Sequence, residues 1–468
     1  MVSLMLNIRA LHVSWGKMQG VFLHRRVFTQ MKKETVTTNQ ITEGVIWKQL
    51  LLFFFPIVLG TFFQQLYNTA DTIVVGRFVS KEALAAVGGS AAQIVGLIVG
   101  FFVGLASGAS VIISQFYGAK NRVQLNRALH TAYAFSIIGS IFITVLGILI
   151  APWMLELMHT PQETMADALL YLRIYFAGII FVFIYNVGSS ILRAMGDSRR
   201  PLYYLIVCCF LNIVLDIVLV IVFHMGVAGV AIGTIISQLI SCVLVLTCLY
   251  RSEGSYQLRF SKLKINGAYM EQIFQVGVPA GIQSTVINLS NALLQSSVNS
   301  FGSIAMAGYT AANNILGFLY MSVNSITQAC MSFTSQNYGV GKLKRMDKVL
   351  RDCAILSISI AAVLGGLAYS FGPQILTVYT SDPKVINCGM EILAYTSITY
   401  FLCGIMDLFP GALRGMGYSA VPMVLSVIGT VGTRIVWVFG IFPNHRSLSV
   451  LFVSYPVSWI LTIVLQVM

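Results

Sequence analysis

A chain of 468 residues with 57% hydrophobic and only 10% charged side chains lacks the polar surface of a water-soluble domain, which carries about 25% charged residues. Its formal charge of +13 falls in short connections between apolar runs, a placement that suits anionic lipid headgroups and argues against nucleic acid. About 20 apolar residues cross a bilayer, so this length holds roughly a dozen spans and little soluble mass.

The first thirty residues are basic and weakly apolar, without the unbroken hydrophobic core or small-residue cleavage site of a secretory signal. Met31 opens a polar lead-in, MKKETVTTNQITEGVIWKQ. The expectation is that Met31 is the true start and residues 1–30 an upstream extension; an amphipathic surface helix is the alternative. Beyond the lead-in the chain is written twice. SQFYGAK (Ser114–Lys120) returns as SQNYGVG (Ser335–Gly341), and LRAMGDSRRP (Leu192–Pro201) returns as LRGMGYSAVP (Leu413–Pro422), both at a shift of 221 residues. Pro56 pairs with Pro279, and Asn68 with Asn291, at a shift of 223.

Each half divides into six apolar segments. The expected domains are an N-terminal cytoplasmic segment (1–47), an N-lobe of six spans (48–250), a cytoplasmic linker (251–270) and a C-lobe of six spans (271–468). An even number of spans per half makes the repeats parallel. With the N-terminus inside, seventeen Lys and Arg from Lys48 onward lie at inner connections and inner helix ends, against four (Arg77, Lys81, Lys384, Arg446) outside. That asymmetry places both termini in the cytoplasm. The expected fold class is an all-α integral membrane protein of twelve transmembrane helices in two parallel six-helix repeats.

Charged side chains inside a span cost a few kcal/mol or more and mark function. Three of the sixteen acidic residues lie well inside: Asp71, Asp216 and Asp407. Asp71 belongs to QQLYNTADTIVVGR (Gln64–Arg77), one turn after Tyr67 and three residues after Asn68, about 9 Å from the outer edge by helix rise. Asp216 lies about 12 Å from the same face, with Asn212 one turn deeper on the same helix face. Two carboxyls, an amide and a phenol can therefore converge in the N-lobe, and Asn68 is a candidate for lining the same cavity. Two carboxyls held together share one proton. The set would load and release a proton or hold a monovalent cation; the alternative is helix packing by permanently protonated acids.

Pro56 and Pro279 each remove a backbone bond and favour a kink; at Pro56 the kink would let the outer part of the first helix bend as Asp71 changes protonation. Asp407 has Asn186 as its counterpart in the first half, and Asn186 is a further cavity candidate. Asp407 and Arg434 lie on adjacent spans, about 10 and 18 Å from the inner face, and form a candidate C-lobe ion pair. Leu294 and Trp437 stand where the first half has Asp71 and Asp216, so no acid pair is expected in the C-lobe. Eight cysteines and six histidines show no metal-ligand spacing, and no catalytic motif is present.

The duplicated plan, together with YNTADTIVVGR, SQFYGAK, LRAMGDSRRP and the run NIVLD (Asn212–Asp216), resembles the multidrug and toxic compound extrusion (MATE) transporter family from Lys48 to the C-terminus. The resemblance implies a V-shaped, two-lobe protein that alternates between inward- and outward-facing states. It implies export of amphipathic, often cationic organic compounds in exchange for H⁺ or Na⁺. Asp71 matches the family's central coupling acid, Tyr67, Asn212 and Asp216 match the N-lobe site, and Thr234 matches a sixth-helix hydroxyl lining that cavity. GIQSTVINLS (Gly281–Ser290) lacks the seventh-helix acid of one branch, which points to the N-lobe-coupled branch. The alternative is a flippase for a lipid-linked precursor, disfavoured because the spans hold few deep cations, Arg434 among them. No enzyme activity or cofactor is expected. The expected partners are the lipid bilayer and small amphipathic substrates, for a monomer in the plasma membrane.

Overall fold

A computed structural model describes residues 41–468 apart from residue 159 and residues 253–255. The proposed extension 1–30 and the start at Met31 lie outside the described residues. The described chain is helical, with no strand among the described residues. The first half contains α1 (Ile46–Phe78), α2 (Glu82–Gly118), α3 (Arg122–Leu157), α4 (Gln162–Ala194), α5 (Arg199–Val222) and α6 (Gly226–Arg251). The second contains α7 (Gly267–Asn299), α8 (Ser303–Val340), α9 (Leu343–Ser370), α10 in two pieces (Pro383–Thr396 and Tyr400–Gly415), α11 (Ala420–Ile441) and α12 (Leu448–Val467).

Among the described residues nine helices are long and apolar enough to cross a bilayer, and the bent pair of α10 makes ten. The other two are α7 and α8, of 33 and 38 residues. Length suffices in both, but amides interrupt them: Asn288, Asn291 and Gln295 in α7, and Asn313, Asn324 and Gln328 in α8. The lipid-facing stripe is plainest on α3, where Ile138, Ile141, Phe142, Val145, Leu149 and Trp153 are all exposed at helical spacing.

The chain forms two compact units: Leu52–Ser114 with Arg122–Thr285, and residues 41–51 and Gln115–Asn121 with Val286–Met468. The division falls inside α7 and not at the linker expected from the sequence, because glycines weld the start of α7 to α2. A Cβ on Gly104 would fall on the backbone of Gly281, one on Gly108 on the backbone of Gly277, and one on Gly277 would lie 2.8 Å from the Leu105 carbonyl oxygen. This is small-residue packing of the kind that brings membrane helices into backbone contact. The linker itself is tied to α3. The Arg259 N–H donates to His130 Nε2 at 3.1 Å, the Asn266 N–H donates to Thr131 Oγ1 at 3.3 Å, and that hydroxyl donates to the Lys264 carbonyl at 3.3 Å. The unit's apolar core gathers residues from all six helices of the first half, including Val75, Ile94, Leu155, Phe176, Val220 and Val230.

The repeated motifs owe their form to geometry. In LRAMGDSRRP, Gly196 takes φ +94°, and the Asp197 N–H caps α4 by donating to the Leu192 carbonyl at 2.9 Å. In LRGMGYSAVP, Gly417 takes φ +97°, and the Tyr418 N–H donates to the Leu413 carbonyl at 2.9 Å. Both are left-handed caps that glycine adopts without a Cβ penalty. In SQFYGAK and SQNYGVG the glycines let two helix ends cross, since a Cβ on Gly118 would strike the Gln336 backbone and one on Gly339 the Gln115 backbone.

One difference between the repeats has a clear cause. Thr396, Ser397 and Thr399 each donate a hydroxyl to a carbonyl four residues back, at 2.6, 2.5 and 2.6 Å. Such back-bonding bends helices, and α10 turns by 51° there. The Ser397 carbonyl, which accepts from the Tyr400 N–H at 3.3 Å, occupies the space that a side chain on Gly365 would fill. At the matching positions α4 has Tyr175, Phe176 and Gly178 and runs unbroken, with Thr144 donating to the Phe176 carbonyl at 2.9 Å.

Candidate functional site

The site lies in the first unit, where α1, α4, α5 and α6 meet. Tyr67 and Asp71 are four residues apart on α1 and both face inward, at 7% and 6% exposure. Asn212 and Asp216 are likewise four apart on α5 and fully buried. The α-helical part of α5 ends at Asp216, and the next turn, Ile217–Val222, is a π-helix. Such turns recur at functional sites because they re-aim side chains. Across from Asp216, α6 presents Gly233, where a Cβ would stand 2.5 Å from Asp216 Oδ1. The missing side chain is the space the carboxyl occupies.

Asp71 interacts with the side chains of Asp216, Asn212 and Thr234. Thr234 Oγ1 lies 3.3 Å from Asp71 Oδ2 and 3.0 Å from the Val230 carbonyl, so its single proton serves one acceptor at a time. Gln238, one turn further along α6, donates Nε2 to the Tyr67 hydroxyl at 3.4 Å. From α4, Tyr171 and Tyr175, with ring centres 6.1 Å apart, lie within electrostatic range of Asp71. Although the two carboxyls and Asn212 lie together, they are not aligned as hydrogen bonds. Asp71 Oδ1, both oxygens of Asp216, both amide atoms of Asn212 and Gln238 Oε1 are buried without a partner.

Buried polar atoms in folded proteins are nearly always paired, and an orphaned group costs about 1–3 kcal/mol. The four orphaned oxygens of Asp71, Asp216 and Asn212 form a donor set suited to a hard cation. Two buried carboxyls that interact repel when both are charged, which favours one proton or one cation shared between them.

Other sequence-derived candidates fall elsewhere. Asn68 is exposed, turned away from the buried faces of Tyr67 and Asp71. Asn186 lines a small apolar cavity with Phe102, Phe135 and Phe183, and its amide is satisfied by the Val182 carbonyl at 2.8 Å. Asp407 and Arg434 do not form the expected ion pair. Arg434, 3% exposed, points Nη1 at Asn291 Oδ1, 2.6 Å away, and lies over the Tyr455 ring, 4.7 Å from its centre. Asp407 instead has Arg414 and Tyr320 as electrostatic neighbours. Adjacency of two helices left their rotation open, and the guanidinium found an amide and an aromatic face. A double-mutant cycle of Asp407→Asn and Arg434→Gln, read by thermal unfolding, is expected to give a coupling within about 0.5 kcal/mol of zero; a coupling above about 1 kcal/mol would reinstate the pair.

In the second unit the positions of the acids are filled by packing. Leu294 is 1% exposed in the apolar core, and Trp437 donates its indole N–H to the Val450 carbonyl at 2.8 Å. Gln238, Tyr171 and Tyr175 were not anticipated. Gln238 had a legible sign, an amide one turn after Thr234 in an otherwise apolar span, whereas the tyrosines read as ordinary aromatic packing.

Known proteins resemble the chain along most of its length. The family model described as MatE matches twice, at residues 56–218 and 279–439, so its two copies are offset by 223 residues at their starts and 221 at their ends. A protein of Bacillus subtilis (strain 168) named probable multidrug resistance protein YoeA is 28% identical over 447 residues, spanning 93% of this chain and 96% of its own. A second protein of that organism, probable multidrug resistance protein YpnP, is 30% identical over 394 residues, spanning 83% and 86%. Among solved structures, an outward-facing multidrug resistance transporter of the MOP superfamily superposes with a TM-score of 0.85 at 21% identity, over 93% of this chain and 96% of that one.

Proposed function

Because the chain belongs to the MATE family of membrane transporters, we propose that it exports amphipathic, often cationic organic compounds in exchange for H⁺ or Na⁺. The observation that carries this reading is the buried cluster of Asp71, Asp216 and Asn212, whose polar atoms other than Asp71 Oδ2 lack hydrogen-bond partners inside the protein. In the outward-open state the two carboxyls, which share one proton and carry a single negative charge, take up one further proton or Na⁺. Neutralised, the cluster no longer favours an organic cation, and the guest leaves. Release of the small cation to the cytoplasm restores the negative charge and with it the affinity for the next guest. Coupling thus arises from competition for one charge, without covalent chemistry. The Thr234 hydroxyl, able to turn from the Val230 carbonyl to Asp71, stabilises the charged form.

Against the flippase alternative stands the fate of Arg434, whose guanidinium is occupied by Asn291 and Tyr455. The test is uptake of a fluorescent organic cation into proteoliposomes under an imposed pH gradient, an imposed Na⁺ gradient, or neither. One of the two gradients is expected to drive accumulation of the dye against its own concentration. Equal flux in all three conditions would remove the antiport.

A further inference from the structure

Far from the acid cluster, the first unit carries a second polar feature. Where α3 begins, the linker folds back over it and leaves a cleft of about 730 Å³ lined by Arg122, Arg127, His130, Thr131, Lys262 and Lys264, among others, and by no carboxylate among the described residues. That is a volume typical of small-molecule sites. The cleft is a built feature. His130 and Thr131 pin the linker through the three hydrogen bonds described above, which hold Lys262 and Lys264 opposite the two arginines. The first backbone N–H groups of a 36-residue helix add their partial positive charge at the same place.

Among the described residues these cations neutralise no carboxylate. None of Arg122, Arg127, Lys262 and Lys264 belongs to either of the ion pairs among the described residues. The second repeat treats its own set differently. Lys342 donates to the Thr42 carbonyl at 2.9 Å, Arg345 to the carbonyls of Glu43 and Gly44 at 3.0 and 2.9 Å, and Arg351 pairs with Asp352 at 2.9 Å. There Lys342 and Arg345 hold the lead-in to α1, and Arg351 is paired with an acid. In the first repeat the lead-in to α7 is held by the His130 and Thr131 contacts, and the cations face a cavity. Beside it Phe260, 54% exposed, stacks on Tyr250, 53% exposed, at 6.2 Å between ring centres. Exposed aromatics of this kind mark the membrane–water interface.

We propose that this cleft binds a phosphoanion, either the phosphate of an anionic lipid headgroup or a free phosphate, at a site separate from the acid cluster. The test uses the full-length protein and native mass spectrometry after exchange into phosphatidylglycerol or phosphatidylcholine nanodiscs, with inorganic phosphate as the soluble probe. Wild type is expected to retain one more phosphatidylglycerol than the triple variant R122Q/K262Q/K264Q, with affinity at least about tenfold weaker in the variant and no difference in phosphatidylcholine. Binding of inorganic phosphate without lipid, lost in the same variant, assigns the site to a soluble phosphoanion. A control, K344Q/K348Q/R351Q, removes equal charge from the second repeat. The proposal is overturned if wild type and triple variant retain both probes equally, or if the control loses the same adduct.

Discussion

Asp71→Asn is expected to abolish gradient-driven export while leaving the protein folded and able to bind its organic guest. The amide preserves the shape of the side chain and its contact with Thr234, so packing around a 6% exposed position survives. What it removes is the ability to exchange a charge. Asp216 then has no carboxyl partner, and the site no longer alternates between an empty, negative state and a loaded, neutral one. Gradient-driven uptake in proteoliposomes should fall at least about tenfold, the scale of a 1–3 kcal/mol coupling between sites, with the midpoint of thermal unfolding close to wild type. Undiminished coupled transport in this variant would sink the role assigned to the pair.

Gly233→Ala should have a comparable effect from a residue that carries no chemistry of its own. Its added methyl would stand 2.5 Å from Asp216 Oδ1 and 3.5 Å from the Leu215 Cβ, so the carboxyl must turn away or α6 must withdraw from α5. Overpacking of this sort costs about 1–3 kcal/mol. Because Thr234 is the next residue, withdrawal also lengthens its contact with Asp71. We expect transport about tenfold below wild type, on the same coupling scale, together with a lower unfolding midpoint. Wild-type values of both would mean that the carboxyl has room the structure does not show.

Much of this is legible in the residues alone. The shift of 221 residues pairs Gly196 with Gly417 and Gly118 with Gly339, and the structure gives each pair matching work as helix caps and crossings. The four-residue spacings of Tyr67 with Asp71 and of Asn212 with Asp216 place each pair on one helix face, since 3.6 residues make a turn. The rest depends on helix rotation and approach, which periodicity does not specify. Gly178 of α4 accepts the side chain of Ile235 against its backbone, a close fit between α4 and α6 one turn from Tyr175. Nothing in the spacing of either helix announces the contact. The pairing of Asp407 with Arg434 fails for the same reason: depth along two neighbouring helices is estimable, but the direction each side chain faces is not.

The replacement of both acids by Leu294 and Trp437 in the second repeat bears on the energetics of transport. Under the proposed function, one acid pair that shares a single charge sets a stoichiometry of one small cation per turnover. Swapping one H⁺ or Na⁺ for one singly charged organic cation is electroneutral, so membrane voltage contributes nothing to the work. The ceiling on export is then the chemical gradient alone: a tenfold difference in the driving cation, about 1.4 kcal/mol, supports no more than a tenfold difference in the exported one.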